Sequence, residues 1–390
     1  MTLQNTLVCD IGTSSIKVGH AGNLTPNFKI PCLVENSLST SAGAIKSNAR
    51  RIGYDALKAQ QRDKIPCTYP MDDDGVVRDW NALELLLHYA FEGKMGVKDY
   101  SKYKLLIPKP HAMTKADIER LMGFLFVRLG FQAITMHEQA ALVLYTQGVE
   151  TGIVVEAGDG GVRIMPVYMG HAIPKLDKRL PIGGRALSKY LMKLLRLRGY
   201  NLDAIEYLES ARQVKEKLCY VALDRSLENR LAEETTVLVE KHALPDGNSL
   251  TLGRERFEAA EALFEPSMLD IESCGLADVI FDVIQEADID CRVDLYKNII
   301  LSGGTTLLPG LRDRLESDLQ KRYLRDILKG DEAREQNWNF GVHAPNTRDH
   351  LVFEGAALFG DLISNESEYW VTSEAYHRFG VQFVLDKCQN

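Results

Sequence analysis

Residues 7–17 read LVCDIGTSSIK and residues 153–163 read IVVEAGDGGVR. Aligned without a gap, each gives three apolar residues, an acid, a small or apolar residue, a glycine, a polar residue, three further positions and a cation. Asp10 aligns with Glu156, Gly12 with Gly158, Thr13 with Asp159, and Lys17 with Arg163. Strand-forming residues at 6–9 and 164–168 flank the turns, so each copy predicts a β-hairpin with a polar, glycine-containing turn. Such turns suit phosphate chemistry. Glycine lets the backbone approach an anion, and successive N–H groups in a tight turn form an anion-binding nest. A Thr13 or Ser14 hydroxyl adds a donor and Lys17 a point charge. The carboxylates of Asp10 and Glu156 cannot face phosphate bare; they fit if a hydrated Mg²⁺ lies between. Either turn alone is also ordinary hairpin chemistry. Two in one register predict a clamp on a nucleotide triphosphate.

A third glycine-rich turn follows residues 298–302, NIILS, an apolar strand. Gly303, Gly304, Thr305 and Thr306 come next, then Pro309-Gly310 and apolar positions at helical spacing over 311–324. A strand–turn–helix junction of this kind offers free N–H groups at a helix start.

The elements that must position these turns belong to a chain of 390 residues, for which about 150 residues per domain predicts two or three domains. The copies at 7 and 153 lie too far apart for a solenoid repeat, so they predict two duplicated halves. Hydrophobic residues make up 45% and charged residues 26%, which excludes a mainly disordered chain. The net charge of −8 argues against a general nucleic-acid binder. No apolar run approaches the roughly 20 residues of a membrane span; 121–127, LMGFLFV, has core-helix length. Residues 1–5 carry no positive region, and seven cysteines form no C-x-x-C pair, which predicts a cytoplasmic chain without a disulfide framework or zinc. Nine scattered histidines offer no metal-ligand spacing. Eight Lys or Arg residues and one acid, Asp177, fall between 175 and 198, most on a helix predicted over 184–198. With Tyr190 as the one aromatic there, that run reads as a protein-contact or solvated face, not a nucleic-acid site. Residues 138–147, EQAALVLYTQ, predict a short apolar helix, and Thr114 ahead of Asp117 reads as the N-cap of the helix before it.

The paired hairpins together with LSGGTTLLPG (301–310) resemble the actin fold, shared more loosely with sugar kinases and 70-kDa heat-shock proteins. YPMDDDGVVRDW (69–80), VKEKLCYVALD (214–224) and ERFEAAEALFEP (255–266) are similar to actins in particular. LLRLRGY (194–200), EETTVLVEKHALPDG (233–247), IQEADIDCRVDLYKNIILSGG (284–304) and YLRDILKGD (323–331) resemble the actin-related subunit of the complex that nucleates branched filaments.

The resemblance implies an α/β fold of two large lobes around a nucleotide cleft, in four subdomains. The first is 1–31 with 71–146 and 351–390; the second is 32–70, polar through Ser37–Ser41 and Ser47–Arg51. The third is 147–182 with 273–350 and the fourth 183–272, with hinges near 138–147 and Asn346. It implies ATP or ADP with Mg²⁺ (or Ca²⁺ in vitro), held through water by Asp10, Glu156 and Asp159. The nucleotide site it carries over is Asp10, Gly12, Thr13, Ser14, Lys17, Glu156, Gly158, Asp159 and Gly160, then Gly184, Arg212, Lys215, Glu216, Gly304, Thr305, Leu307 and Leu308. Without the family, Arg212, Lys215 and Glu216 read as a solvated helix face with an ion pair. The implied partners are a second actin-related protein, five further subunits, actin filaments and monomers, and nucleation-promoting factors, with no nucleic acid and no membrane insertion.

Several positions depart from the family pattern. Glu156 replaces Asp and extends the carboxylate by roughly 1.5 Å. Arg163 replaces the His associated with the lytic water, and Arg has no acceptor with which to orient water. Gln139, the other water-positioning residue, is kept. Ile11, Ser14, Gly161 and Val162 also differ. Leu308 replaces the Tyr of actin itself. Asp349 stands where actins place Lys on the adenine side, and losing a cation over a base forfeits roughly 0.5–2 kcal/mol; the neighbouring Arg348 is the candidate replacement. Nucleotide binding with slow or absent hydrolysis is the expectation. Two other readings stay open: a nuclear actin-related subunit of a chromatin remodeller, and a divergent conventional actin. A sugar-kinase-type phosphotransferase is disfavoured by the actin-specific stretches.

Overall fold

The computed structural model describes residues 5–36, 50–63, 65–110, 113–200, 207–244, 249–331 and 340–388, and for Cys388 the backbone alone. Most of the polar stretch predicted at 37–51 lies outside them. Each self-matching segment is an antiparallel hairpin. β1 (Thr6–Ile11) and β2 (Ser15–His20) place Asp10 opposite Lys17 and Ile11 opposite Ile16. β3 (Phe28–Pro31) adds antiparallel to β2, and β4 (Val34–Glu35) with β5 (Cys67–Thr68) forms a separate two-stranded pair. β6 (Lys104–Lys109) runs parallel to β1, and β7 (Ala133–Glu138) parallel to β6.

The second half repeats the plan. β8 (Gly152–Ala157) and β9 (Val162–Tyr168) place Glu156 opposite Arg163 and Ala157 opposite Val162. β10 (His171–Ala172) and β11 (Lys178–Leu180) both pair antiparallel with β9. After the small β12 (Glu240–Ala243) and β13 (Ser249–Leu252) pair, β14 (Ile299–Ser302) runs parallel to β8 and β15 (Val342–His343) parallel to β14. β16 (Val371–Thr372) returns to the edge of the first sheet, antiparallel to β7. Both sheets thus carry a hairpin, antiparallel additions on one side and two parallel strands on the other. β1 and β8 are buried along their whole length, as strands covered on both faces must be, which is why they read as near-continuous apolar runs.

Each sheet has its own core. Leu7, Ile16, Phe91, Leu125 and Phe131 pack in the first half, and Val155, Ile164, Leu191, Phe281 and Leu301 in the second. Between them sits a smaller cluster in which Ala140, Val143 and Leu144 meet Val154, Met165, Val167, Ile300 and Leu351. The first three belong to the Gln139–Gln147 helix, the predicted apolar pivot, which is buried along most of its length. The Leu351–Leu362 helix brings the chain back and lies so close that a Cβ on Gly355 would fall 2.0 Å from the Leu142 carbonyl oxygen. Thr114 caps the Lys115–Met122 helix, and Asp117 returns a bond to it in a capping box. The apolar 121–127 run continues that helix into a wider turn, Gly123–Leu129, with Phe124, Leu125 and Phe126 buried and Val127 exposed. The helix after the third glycine turn, Leu311–Asp326, starts where the sequence puts it, with Gly310 as its N-cap; what was not expected is a short 3₁₀ turn, Gly304–Leu307, so Gly303 and Gly304 lie ahead of the helix and do not open it.

His137 ends in the pivot, stacked on Phe359 at 4.5 Å and on Tyr145 at 5.9 Å. Burial pushes its imidazole down to about 4, against roughly 6.5 in an unfolded chain. Between those values the unfolded state binds more protons, so stability is held above pH 6.5 and lost as pH falls toward 4. Thermal melts at pH 5 and pH 8 test this: His137→Phe should shrink the difference by on the order of 2 kcal/mol, and an unchanged difference would contradict it.

Candidate functional site

The two turns face each other across a cavity of ≈ 460 Å³. The first is closed by Gly12 N–H donating to the Ser15 carbonyl at 3.2 Å, the second by Gly158 N–H donating to the Gly161 carbonyl at 3.0 Å. Their approach is close: a Cβ on Gly160 would meet Thr13 Oγ1 at 3.0 Å and Gly75 N at 3.1 Å. A side chain there would need Thr13 and the Gly75 backbone to give by a few tenths of an ångström. Lys17 Nζ donates to Asp10 Oδ2 at 2.6 Å across the first hairpin, both side chains being nearly buried. The second hairpin uses its cation differently. Arg163 donates to Glu138 Oε1 at 2.8 Å and to Asp177 Oδ1 at 2.9 Å. Burial would lower the pKa of this guanidinium, but Asp177, Glu138 and Glu156 outweigh it and hold the charge firmly.

The opposite wall comes from the Leu208–Leu218 helix and the third turn. Lys215 Nζ donates to the Gly184 carbonyl at 2.5 Å, and burial lowers its pKa. Arg212 pairs with Glu216 at 2.9 Å; Glu209, Asp159 and Glu216 overcome its burial and raise its pKa. The ion pair expected for an ordinary helix face is present, but Lys215 is buried instead of solvated. Thr305 Oγ1 donates to the Gly158 carbonyl at 2.8 Å, tying the third turn to the second.

Every residue named above for the nucleotide, including Gly304, Leu307 and Leu308, together with Gln139 and Arg163, lines this one cavity. Gln139 opens its helix and is buried. Sequence reading did not place Lys29, Met71, Asp74, Gly75, Asp177 and Arg179 in the cavity: Met71, Asp74 and Gly75 lie in the 69–80 stretch, which served only for the resemblance, and the other three belong to no glycine turn. Arg348, the candidate replacement cation, is not among the residues lining the cavity. Its guanidinium donates to the carbonyls of Thr306, Ala344 and Pro345. Asp349 is met instead by Lys29 of β3 at 3.1 Å and by His350 Nδ1 at 2.7 Å; burial opposes ionisation, but these contacts lower its pKa. The basic run also has a different use. Arg179 pairs with Asp74 at 3.2 Å, Arg185 with Asp73 at 3.5 Å and Asp159 at 3.1 Å, and Lys189 with Asp73. Arg198 pairs with Glu255 at 2.9 Å. Of the eight cations only Arg185 is buried; the rest of the run stays at the surface, where several of its members are answered by the chain's own acids.

The cavity fits a phosphate chain. Ser14 Oγ is buried and makes no hydrogen bond among the described residues, leaving a donor for an anion. Asp10, Glu156 and Asp159 face the same space, yet among the described residues no group of three or more His, Cys, Asp or Glu side chains is arranged to hold a metal directly. Asp10 and Asp159 already answer Lys17 and Arg185. Such a donor set suits a hydrated cation reached through water.

Duplicated sheets, a clamp of paired turns and a helical pivot define an actin-type ATPase fold, and the chain belongs to the actin family, whose model, described as Actin, matches residues 2–389. Among similar proteins, Actin-related protein 2 of Acanthamoeba castellanii is 39% identical over 385 residues, covering 98% of this chain and 98% of that protein. Actin-related protein 2 of Caenorhabditis briggsae is 40% identical over 98% of this chain and 97% of its own length. That of Drosophila melanogaster is 38% identical over 99% and 98%.

Arg185 is buried between carboxylates of both halves, so removing it strands Asp159. Arg185→Leu should cost about 3–5 kcal/mol in denaturant unfolding, and adding Asp159→Asn should recover part of it. A double variant no more stable than the single would contradict this pairing.

Proposed function

We propose that this chain is an ATP-binding, actin-like subunit of the complex that nucleates branched actin filaments. With a second actin-related subunit it would form the template on which a daughter filament grows, beside five further subunits, and it would meet filaments, actin monomers and nucleation-promoting factors. The observation that carries this reading is similarity over 98–99% of the chain to proteins named Actin-related protein 2. Lobe boundaries follow the sequence reading, with subdomains at 1–31/71–146/351–390, 32–70, 147–182/273–350 and 183–272. The site of action is the cytoplasmic actin cytoskeleton; among the described residues no helix is long and apolar enough to cross a membrane.

In this reading Thr13, Ser14 and the turn N–H groups bind the phosphates, Lys17 balances their charge, and Arg212, Lys215 and Glu216 border the nucleoside. Asp10, Glu156 and Asp159 would hold a hydrated Mg²⁺ through water, and the ion would supply positive charge to offset that of the phosphates. ATP then acts as an ordering ligand: its influence equals its differential affinity for closed and open clefts. Hydrolysis is weak. Arg163 is locked between Glu138 and Asp177 and carries no acceptor with which to orient water, which leaves Gln139 alone for that task.

Affinity purification tests the assembly. Recovery of a second actin-related protein with five non-actin subunits is expected; a remodelling ATPase in their place, or self-polymerisation alone, would overturn the reading. Lys17→Met should weaken ATP binding by about 1.5–3 kcal/mol, roughly 10- to 100-fold, read by calorimetry. Phosphate release from the purified complex should fall well below that of conventional actin, and an equal rate would contradict weak hydrolysis.

A further inference from the structure

The two hairpins share a register but not the destination of their cations. Lys17 stays within its own hairpin, on Asp10. Arg163, opposite Glu156 in its own hairpin, also reaches outside it. From β9 of the second sheet it donates through one terminal nitrogen to Glu138 Oε1 at 2.8 Å, and through Nε to both oxygens of Asp177, at 2.9 and 3.1 Å. Glu138 is the last residue of β7 in the first sheet and directly precedes the Gln139–Gln147 pivot. Its other oxygen lies 3.7 Å from Lys109 Nζ at the end of β6. A line of alternating charge, Lys109–Glu138–Arg163–Asp177, therefore runs from the first sheet into the second where the chain crosses. Side-chain exposures of 14% for Arg163 and 17% for Glu138 keep water from screening the link.

We propose that Arg163 is a positioning residue for the bound nucleotide: by tying Glu138 of the first sheet to Asp177 of the second, it holds the two phosphate turns at closing distance and slows nucleotide release. The inference rests on the nucleotide-binding reading above and adds a role at the residue that hydrolysis has lost. Apolar contacts at the pivot are non-directional and allow the halves to rock. A guanidinium fork bonded to carboxylates on both sides fixes one separation and one angle. Arg163 and Asp177 also line the cavity, so rocking at this link changes the space between Gly12–Ser14 and Gly158–Gly161 directly.

The test uses the full chain, within its complex where it purifies as one, loaded with a fluorescent etheno-ATP and chased with excess ATP. Arg163→Met should accelerate release about tenfold, and Arg163→Lys less. Glu138→Gln should accelerate it to a similar degree, and the Glu138→Gln/Arg163→Met pair no further, because each breaks the same link. General destabilisation would instead make the two effects multiply. Release from Arg163→Met within twofold of the unsubstituted chain, or multiplying effects in the pair, overturns the proposal. A readout without nucleotide separates this from the parent reading. Distances between one spectroscopic label on each side of the cleft should broaden in Arg163→Met. An unchanged distribution overturns the link even if the unsubstituted chain binds ATP, whereas broadening in a chain that retains no etheno-ATP would refute the nucleotide reading and leave the link standing.

Discussion

The meeting of two glycine turns is the constraint on which the rest of the structure depends. A Cβ on Gly160 would crowd Thr13 Oγ1 at 3.0 Å and the backbone of Gly75 at 3.1 Å, both from the other half. Holding two like-signed carboxylates, Asp10 and Glu156, near that contact costs free energy unless cations answer them. Lys17 answers Asp10 directly, and Arg185 answers Asp159 beside the second turn. The sheets, each with a parallel pair behind its hairpin, supply the rigid backing that lets the turns stay poised.

Between the halves the chemistry is divided by location. At the pivot, apolar side chains from the Gln139–Gln147 helix pack on the second sheet through contacts that are not directional. Around the rim, charges set the geometry: Asp73 and Asp74 reach Arg185, Lys189 and Arg179, and Tyr69 lies under Arg185 at 4.4 Å and donates to Glu209. A net charge of −8 is thus an average over a molecule whose basic run is largely matched by its own acids. The departures at Arg163 and Asp349 follow the same logic. Each is embedded in ion pairs, with Glu138 and Asp177 in one case and Lys29 and His350 in the other.

Much of this was legible in the sequence because it is local. A hairpin is a local structure, so aligning 7–17 with 153–163 was enough to predict two of them; that Asp10 faces Lys17 and Glu156 faces Arg163 across the strands is what the structure adds. The pivot helix and the Thr114 cap were equally readable, from composition and from a four-residue motif. What escaped was non-local. Lys29 and Asp349 are far apart in the chain and carry no shared motif, so nothing local shows that a lysine of β3 will meet Asp349. The basic run at 175–198 read as a protein-contact or solvated face because nothing in it shows that Asp73 and Asp74 will meet it. The 3₁₀ turn at Gly304–Leu307 was missed for a different reason: a Gly-Gly-Thr junction permits either a helix start or a tighter turn, and the tie from Thr305 to Gly158 selects the second.

The central claim is that both turns grip one ligand and thereby join the halves. Hydrogen–deuterium exchange with and without Mg-ATP reads it most directly. Backbone amides of 12–17 and of 158–163 should slow together, at the same ATP concentration, with the Gln139–Gln147 helix slowing alongside them. Protection confined to one turn, or appearing at the two turns with different affinities, would contradict a shared clamp.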